Sequence, residues 1–255
     1  MQEMWMPYAE KLRGKYRFLI YEYPHHTASP EEQINFAANL LKKLSIEKVV
    51  LIGASDGGVY AQIFAKRRSE LVQAMILTTT LTVDSDYIRE IQKERFSTPL
   101  LLLLLKLVPA KTEMKLLLKK LLLKKSVGFL KCEPEADQSY GRGFYETVAS
   151  DLNYKKRFIH NFRCVYMLKD YPPFQANDFE YLRGRILILL PENDIFKKED
   201  QKRIADLFRK LDAEIRFKKE DQKRIADLFR KLDAEIRTVP GGHVASLFRR
   251  NGILS

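Results

Sequence analysis

The apolar residues of this chain form short continuous runs that alternate with amphipathic segments. The runs are rich in leucine and β-branched side chains, and the run at 49–52 in particular is typical of a strand buried on both faces of a parallel sheet. The segments between them place apolar side chains three and four positions apart, as helices do on a core-facing side. This alternation predicts an α/β fold with a mostly parallel sheet of about five strands flanked by helices. The strands are predicted at 16–23, 49–52, 73–79, 185–190 and 235–239.

The helix after the first predicted strand has a defined start in the sequence. Ser29 and Glu32 form a capping box, and Pro30 stands at the first helical position between them. Apolar side chains then follow at helical spacing, so one face of this helix is predicted to pack on the sheet. These side chains are Ile34, Ala37, Leu41 and Leu44.

The alternation of strands and helices stops between residues 82 and 181. This stretch has helical patterns and many aromatic side chains but no convincing strand. We therefore divide the chain into a core, residues 1–81 and 182–255, and a helical insertion, residues 82–181.

Within the insertion, residues 115–125 read KLLLKKLLLKK. A basic amphipathic helix of this kind either lies on a membrane surface or packs between other helices. On a helical wheel Lys125 falls among the leucines, while Leu116 and Leu123 point to the opposite side. We therefore favour a helix packed between neighbours, with lysine stems extending to water, over contact with a membrane surface.

The most informative motif is the G-x-S-x-G sequence of Gly53, Ser55 and Gly57, between the apolar run 49–52 and a helical segment at 59–66. Strand, tight turn and helix in that order are the context of a nucleophile elbow, which exposes a serine hydroxyl above the sheet edge. The alternative is a glycine-rich turn between strand and helix without a catalytic role. With these flanks the motif resembles that of the α/β-hydrolase superfamily.

The resemblance implies that Ser55 is the nucleophile of a triad whose members follow in the order Ser, Asp, His. Asp194 follows the strand at 185–190, where the acid lies in this superfamily, and His243 follows the last predicted strand. His243 would remove the Ser55 proton, and Asp194 would orient the imidazole and stabilise its charged form. The resemblance also implies that residues 82–181 are a helical cap over the site. A helical extension packed elsewhere is the alternative.

Two neighbours of Ser55 are candidates for contact with the substrate, Asp56 and Gly57. The backbone N–H of Asp56 is expected to donate to the oxyanion that forms during acyl transfer. The Asp56 carboxylate has two interpretations. It either stabilises the first turn of the helix electrostatically, or it faces the pocket and favours substrates that bear an amine or another cation.

A tandem repeat complicates the carboxyl-terminal part of the core: residues 196–216 recur without change as residues 217–237. Each copy encodes an amphipathic helix and a short strand. The chain between Asp194 and His243 is long for one helix and one strand, and becomes ordinary when one copy is subtracted. We expect the first copy to supply the helix and the second copy the last strand, with the second helix looped out. The alternative, in which the first copy is expelled, stays open.

Composition and charge indicate the compartment and the partners. Two cysteines make no disulfide framework, the start of the chain lacks the pattern of a signal peptide, and the longest leucine run is too short for a membrane span. We therefore predict a cytoplasmic protein. The net charge of +12 is spread among acidic residues, except between residues 106 and 131, which favours a solvated surface over nucleic-acid binding.

Metal and cofactor sites are not predicted. His160 and Cys164 are four positions apart, a spacing possible for a metal, but too few further ligands stand near them in the sequence. His25 and His26 are interpreted as ordinary loop residues.

Two functions follow from these observations. The first is a serine hydrolase that cleaves a small ester, thioester or amide through an acyl-enzyme, and the residues Ser55, Asp194 and His243 favour it. The second is a non-catalytic relative that serves as a binding or adaptor domain. In the superfamily two or three strands precede the point at which this chain begins, and a loop after the third of them supplies a second oxyanion N–H. We therefore expect a chain truncated at its N-terminus. The truncation and the duplication favour the second function. The oligomeric state stays open.

Overall fold

The computed structural model describes residues 16–21, 24, 27, 29–107, 152–190 and 196–217. Four strands are present in this part of the chain: β1 (Val49–Ala54), β2 (Val72–Thr78), β3 (Ile186–Leu190) and β4 (Glu214–Phe217). The α-helices are α1 (Pro30–Lys43), α2 (Asp56–Arg67), α3 (Ser85–Lys93), α4 (Ser97–Leu107), α5 (Leu152–Met167) and α6 (Lys198–Arg209). Short 3₁₀ helices span Ser69–Leu71, Leu168–Asp170 and Ala176–Leu182.

The four strands form one parallel sheet in the order β1-β2-β3-β4. Parallel neighbours require crossover connections, and helices α2 and α6 provide those from β1 to β2 and from β3 to β4. All four carboxyl ends therefore lie at one edge of the sheet. The α/β class and the parallel sheet predicted from the sequence are confirmed.

The core lies where the sheet meets its helices. Helix α1 begins as predicted, because the Ser29 hydroxyl accepts a hydrogen bond from the Glu32 N–H at 3.2 Å. Its predicted apolar face is buried at Ile34, Ala37 and Leu41, but Leu44 follows the end of the helix and is 47% exposed. The largest fully buried side chains come from the strands, from α1, α2 and α6, and from the segments after α5 and before β3. They include Ile63, Met75, Leu77, Phe179, Leu182, Leu187 and Phe208.

Strand β1 is not buried on both faces, contrary to the prediction from its apolar run. Val49 and Leu51 pack against the core, whereas Val50 and Ile52 are 41% and 44% exposed. Val50 and Ile52 therefore lie on the face of this edge strand that the described chain leaves uncovered. The apolar run thus has the alternating burial of an edge strand.

The strand predicted at 16–23 is not seen in the part of it that the structure describes, residues 16–21. This segment contacts the core through side chains instead. The Tyr21 ring lies 6.1 Å from the Phe36 ring of α1, between centroids. Aromatic and branched side chains favour a half-buried surface. Packing against a helix provides such a surface without pairing in the sheet, so this composition alone does not require a strand.

The first copy of the repeat supplies helix α6 and all of strand β4 except Phe217, so the predicted assignment of the helix to the first copy and of the strand to the second copy is wrong. Helix α6 and strand β4 are continuous in sequence, and β4 pairs with β3 at Ile188 and Ile215. A tight turn joins them, with Asp212 at a φ of 53° and the Ala213 N–H donating to the Phe208 carbonyl at 3.2 Å. Closing this short connection costs less entropy than reaching the sheet through the second copy. Expulsion of the first copy is excluded as well.

The described part of residues 82–181 is helical and contains no strand. Helix α5 contacts both α1 and α4, and the Phe174 N–H donates to the Val83 carbonyl at 2.7 Å. The assignment of this stretch as a cap stays a prediction, and residues 115–125 lie outside the described residues. Within the described ranges, no helix is both long and apolar enough to cross a membrane.

Candidate active site

Ser55 lies at the turn between β1 and α2, at the carboxyl edge of the sheet. Its backbone has a φ of 54° and a ψ of −128°. Positive φ is uncommon for a residue with a side chain, and a strained turn of this kind is what the G-x-S-x-G motif requires. The order of strand, turn and helix predicted around Ser55 is therefore present, and its side chain is half-buried.

Two glycines of the motif region are required by close backbone contacts. A Cβ on Gly53 would lie 2.6 Å from the Gly57 carbonyl oxygen and from the Gly58 Cα. A Cβ on Gly58 would lie 2.4 Å from the Thr80 Oγ1. Gly57 differs, because a Cβ there would meet nothing within 4 Å. The tight turn thus needs glycine at positions 53 and 58, while position 57 has open space beside it.

The Asp56 carboxyl folds back onto the first turn of α2. Its Oδ1 accepts a hydrogen bond from the Gly57 N–H at 2.9 Å, so that N–H is engaged by the carboxyl in this structure. Burial raises the pKa of Asp56, and the bond from Gly57 opposes that shift. The hydrogen bond fits the role of a first-turn acid, and the raised pKa means that the cost of burying the charged carboxylate outweighs this favourable contact. Contact of Asp56 or Gly57 with a substrate stays a prediction.

Two tyrosine hydroxyls, which are not among the site residues predicted from the sequence, share the surroundings of Asp56. Burial raises the pKa of Tyr60 and of Tyr87, and the negative charge of Asp56 raises both further. For Tyr60 the Cys164 side chain adds a larger contribution than Asp56 does. Tyr60 stands one helical turn after Asp56, which is a spacing that places side chains on one face. The spacing of Asp56 and Tyr60 in the sequence is therefore the pattern from which Tyr60 could be predicted as a neighbour of the site.

His160 and Cys164 lie in a buried polar cluster between α5 and α1. The His160 Nε2 lies 2.8 Å from the Gln33 Nε2, 3.2 Å from the Thr27 Oγ1 and 3.8 Å from the Cys164 Sγ. Burial raises the pKa of the Cys164 thiol, which disfavours the thiolate that a metal would need. Within the described ranges, no group of three or more His, Cys, Asp or Glu side chains could hold a metal ion.

Asp194 and His243 lie outside the described residues, as do His25 and His26. The structure therefore brings together Ser55, Asp56 and Gly57, and the triad stays a prediction. Strand β3 ends at Leu190 at the same edge as Ser55, four positions before Asp194 in the sequence. Strand β4 ends at Phe217, so the chain passes through the rest of the second copy before it reaches His243.

Comparison with known proteins gives similar structures at low sequence identity. No family model matches this chain, and no curated protein sequence matches it. The α/β hydrolase MGS-M2 from a deep-sea metagenome library has a TM-score of 0.62 at 15% identity, with 90% of this chain and 82% of that one covered. A carboxylesterase of Nitrososphaera gargenis has a TM-score of 0.55 at 17% identity, covering 90% and 84%. The enol-lactonase of Burkholderia xenovorans LB400 has a TM-score of 0.56 at 14% identity, covering 91% and 85%.

Proposed function

We propose that this chain, which has the α/β-hydrolase fold, is a serine hydrolase that cleaves a small ester, thioester or amide. The observation that carries the proposal is the backbone of Ser55, held at a φ of 54° between the end of β1 and the start of α2. Such strain persists when surrounding structure maintains it, and it is concentrated at functional sites. The fold alone allows many functions, and this turn is the feature that favours a serine nucleophile.

The proposed reaction begins with attack of the Ser55 Oγ on the carbonyl carbon of the substrate. As the new C–O bond forms, His243 takes the hydroxyl proton and then gives it to the leaving group, which departs and leaves an acyl-enzyme. Water, activated by the same histidine, releases the acid and restores Ser55. Asp194 would hold the imidazole in the productive tautomer. Charge on the tetrahedral oxygen would be stabilised by the Asp56 N–H at the start of α2.

The direction of the strands supports the assignment of Asp194. Strands β1 and β3 are parallel members of one sheet, so the chain leaves Leu190 at the edge where Ser55 lies. Residues 82–181 are proposed to form the cap over this edge, and the contact between α5 and α1 supports that placement. The bond from the Gly57 N–H to Asp56 supports a helix-starting role for that carboxylate over capture of an amine-bearing substrate.

A binding or adaptor domain is the second candidate, and the origin of β4 favours it. Because β4 consists of the end of the first copy and Phe217, His243 does not follow that strand directly in the sequence. In the triad order of this fold the histidine comes from the loop after the last strand. An inserted second copy would weaken that coupling, and a chain without a working base would bind an acyl ligand without cleaving it.

A fluorophosphonate probe distinguishes the two candidates. A hydrolase should be labelled at Ser55, with the labelled peptide identified by mass spectrometry, and should release p-nitrophenol from short-chain p-nitrophenyl esters. Ser55→Ala should abolish both signals, whereas Ser69→Ala, at an exposed serine after α2, should leave them unchanged. A folded wild-type chain that is neither labelled nor active would support the adaptor function. Labelling that persists in Ser55→Ala would exclude Ser55 as the nucleophile.

A further inference from the structure

The two residues that follow strand β2, Thr79 and Thr80, contact both backbone groups of Ser55. The Ser55 N–H donates to the Thr79 carbonyl at 3.0 Å, and the Thr80 hydroxyl donates to the Ser55 carbonyl at 2.5 Å. We infer that these two residues, the threonine pair, position the backbone of the nucleophile turn for oxyanion stabilisation. The inference rests on the proposed function, because it assigns a role within that same site.

One member of the threonine pair, Thr79, is itself strained, which indicates that the contact is maintained by its surroundings. Thr79 has a φ of 44°, in the left-handed region that a β-branched residue rarely adopts. Its N–H donates to the Leu189 carbonyl of β3 at 3.2 Å, and the next residue but one, Leu81, accepts a bond from the Gln62 side chain at 2.7 Å. The bend at Thr79 is thus tied to β3 and α2, and it turns the Thr79 carbonyl towards Ser55.

The Thr80 side chain is closely confined, and its hydroxyl lies 2.5 Å from the Ser55 carbonyl oxygen and 3.4 Å from that of Leu81. Thr80 is 1% exposed and lies against the bare Cα of Gly58, where an added Cβ would come within 2.4 to 2.6 Å of three of its atoms. This contact holds the hydroxyl against the Ser55 carbonyl. The Gly58 N–H donates to the same carbonyl at 3.0 Å, so the oxygen is fixed from two directions.

The consequence for catalysis follows from the planarity of the peptide bond. The Ser55 carbonyl and the Asp56 N–H belong to one rigid, trans peptide unit and point in opposite directions. Fixing the carbonyl therefore fixes the direction of the Asp56 N–H, which is the proposed oxyanion donor. Thr80 would not touch the substrate, and it acts through this peptide unit as a positioning residue.

Substitution of Thr80 by valine removes the hydroxyl while keeping the shape, and serine at the same position restores the hydroxyl. Loss of a whole oxyanion donor costs about 10² to 10³ in rate, so we expect misdirection of one to lower kcat by about tenfold. KM should stay the same for Thr80→Val, because ground-state binding does not use the oxyanion donor, and Thr80→Ser should recover kcat. Thr82→Val is the matched control. Its Oγ1 is buried without a hydrogen-bond partner in the described part of the chain.

A second measurement keeps the inference independent of activity. Amide hydrogen exchange of a peptide that covers residues 55–58 should be faster in Thr80→Val than in the wild type, and unchanged in Thr82→Val. Unchanged exchange or unchanged kcat in a folded Thr80→Val protein would overturn the inference. If that variant does not fold, Thr80→Ala and Thr80→Ser form the comparison. A wild-type chain without labelling at Ser55 contradicts the proposed function, and the exchange experiment then decides whether the threonine pair holds the turn.

Discussion

Gly58 and Thr80 lie so close together that a Cβ on the glycine would be 2.4 Å from the threonine Oγ1. The contact joins the first turn of α2 to the segment that leaves β2, two elements that flank Ser55. It explains why position 58 is glycine, because any larger residue there would displace Thr80 from the Ser55 carbonyl.

Gly58→Ala is therefore expected to destabilise the protein, although alanine is a better helix former than glycine. Overpacking of this kind costs about 1 to 3 kcal/mol. Gly57→Ala is the matched control, since a Cβ there meets nothing within 4 Å and the gain in helix propensity is up to about 1 kcal/mol. Urea unfolding of both variants gives the difference. Equal stability of the two would show that the Gly58–Thr80 contact relaxes without cost.

Asp56→Asn is expected to stabilise the folded protein at neutral pH. Burial raises the pKa of Asp56 above the ordinary value of 3.8, so the folded state binds its proton more tightly than the unfolded state does. Stability due to this group is therefore lost as the pH rises through the raised pKa, and asparagine removes that loss while keeping an acceptor for the Gly57 N–H. The gain should disappear below pH 3.8, where the carboxyl is protonated in both states. Urea unfolding at a series of pH values measures it.

The same variant tests the substrate preference of the site. If the Asp56 carboxylate met an amine on the substrate, Asp56→Asn would reduce kcat/KM for amine-bearing esters far more than for neutral esters of equal size. The bond to the Gly57 N–H leads us to expect similar effects on both classes. A selective loss with the amine-bearing esters would contradict that expectation and identify Asp56 as a specificity residue.

The parts of the fold that local sequence patterns determine were predicted correctly. Helix α1 has its own capping residues in Ser29 and Glu32, and the apolar runs at β2 and β3 identify strands without further context. The burial of Val50 and Ile52 was predicted wrongly, because an apolar run does not tell an edge strand from a central one. The prediction of a strand at 16–23 is wrong for residues 16–21 for a related reason, since strand propensity reflects a half-buried surface more than sheet pairing.

The candidate site likewise has one part that local sequence patterns predict and one part that they do not. Ser55 and its turn are recognisable because strand, motif and helix are adjacent in the sequence. The tertiary contacts of the site join residues more than twenty positions apart, so no local sequence pattern predicts them. These are the contacts of Ser55 with Thr79 and Thr80 and the contact of Gly58 with Thr80. The choice between two identical repeat copies is the limiting case, since identical residues carry identical local preferences. The position of each copy along the chain decides which one lies beside β3, because the first copy reaches the sheet through the shorter connection.

The two copies allow a test in which residue and local sequence are the same. Phe208 is fully buried in α6, with its ring 5.2 Å from that of Phe179, and Phe229 is its counterpart in the second copy. We expect Phe208→Ala to reduce the free energy of unfolding by about 3 to 5 kcal/mol. Phe229→Ala should cost much less, since one helix occupies the position between Phe179 and the sheet. A larger loss in Phe229→Ala would show that the second copy takes that position in solution.

Removal of one copy of the repeat tests the connection between fold and activity. Deleting residues 196–216 and deleting residues 217–237 give the same polypeptide, in which Arg216 is followed directly by Thr238. Helix α6 and nearly all of β4 are kept in this chain, and Thr238 takes the place of Phe217 opposite Leu190. The loop that leads to His243 then follows the last strand directly, as the triad order of the fold requires.

We expect the shortened chain to keep its fold, to unfold at higher temperature or stay soluble at higher concentration, and to be labelled faster at Ser55 by a fluorophosphonate. Loop-closure entropy contributes little to this, since each doubling of loop length costs about 0.6 kcal/mol. The larger effects would come from the direct path to His243 and from loss of a surplus amphipathic helix.

A chain with residues 218–237 replaced by a Gly/Ser linker of equal length separates the two causes: it lacks the helix but keeps the long path. Faster labelling in the deletion alone would assign the gain to the path, and equal gains in both would assign it to the helix. Unfolding of the deletion variant would show that the second copy is part of the core.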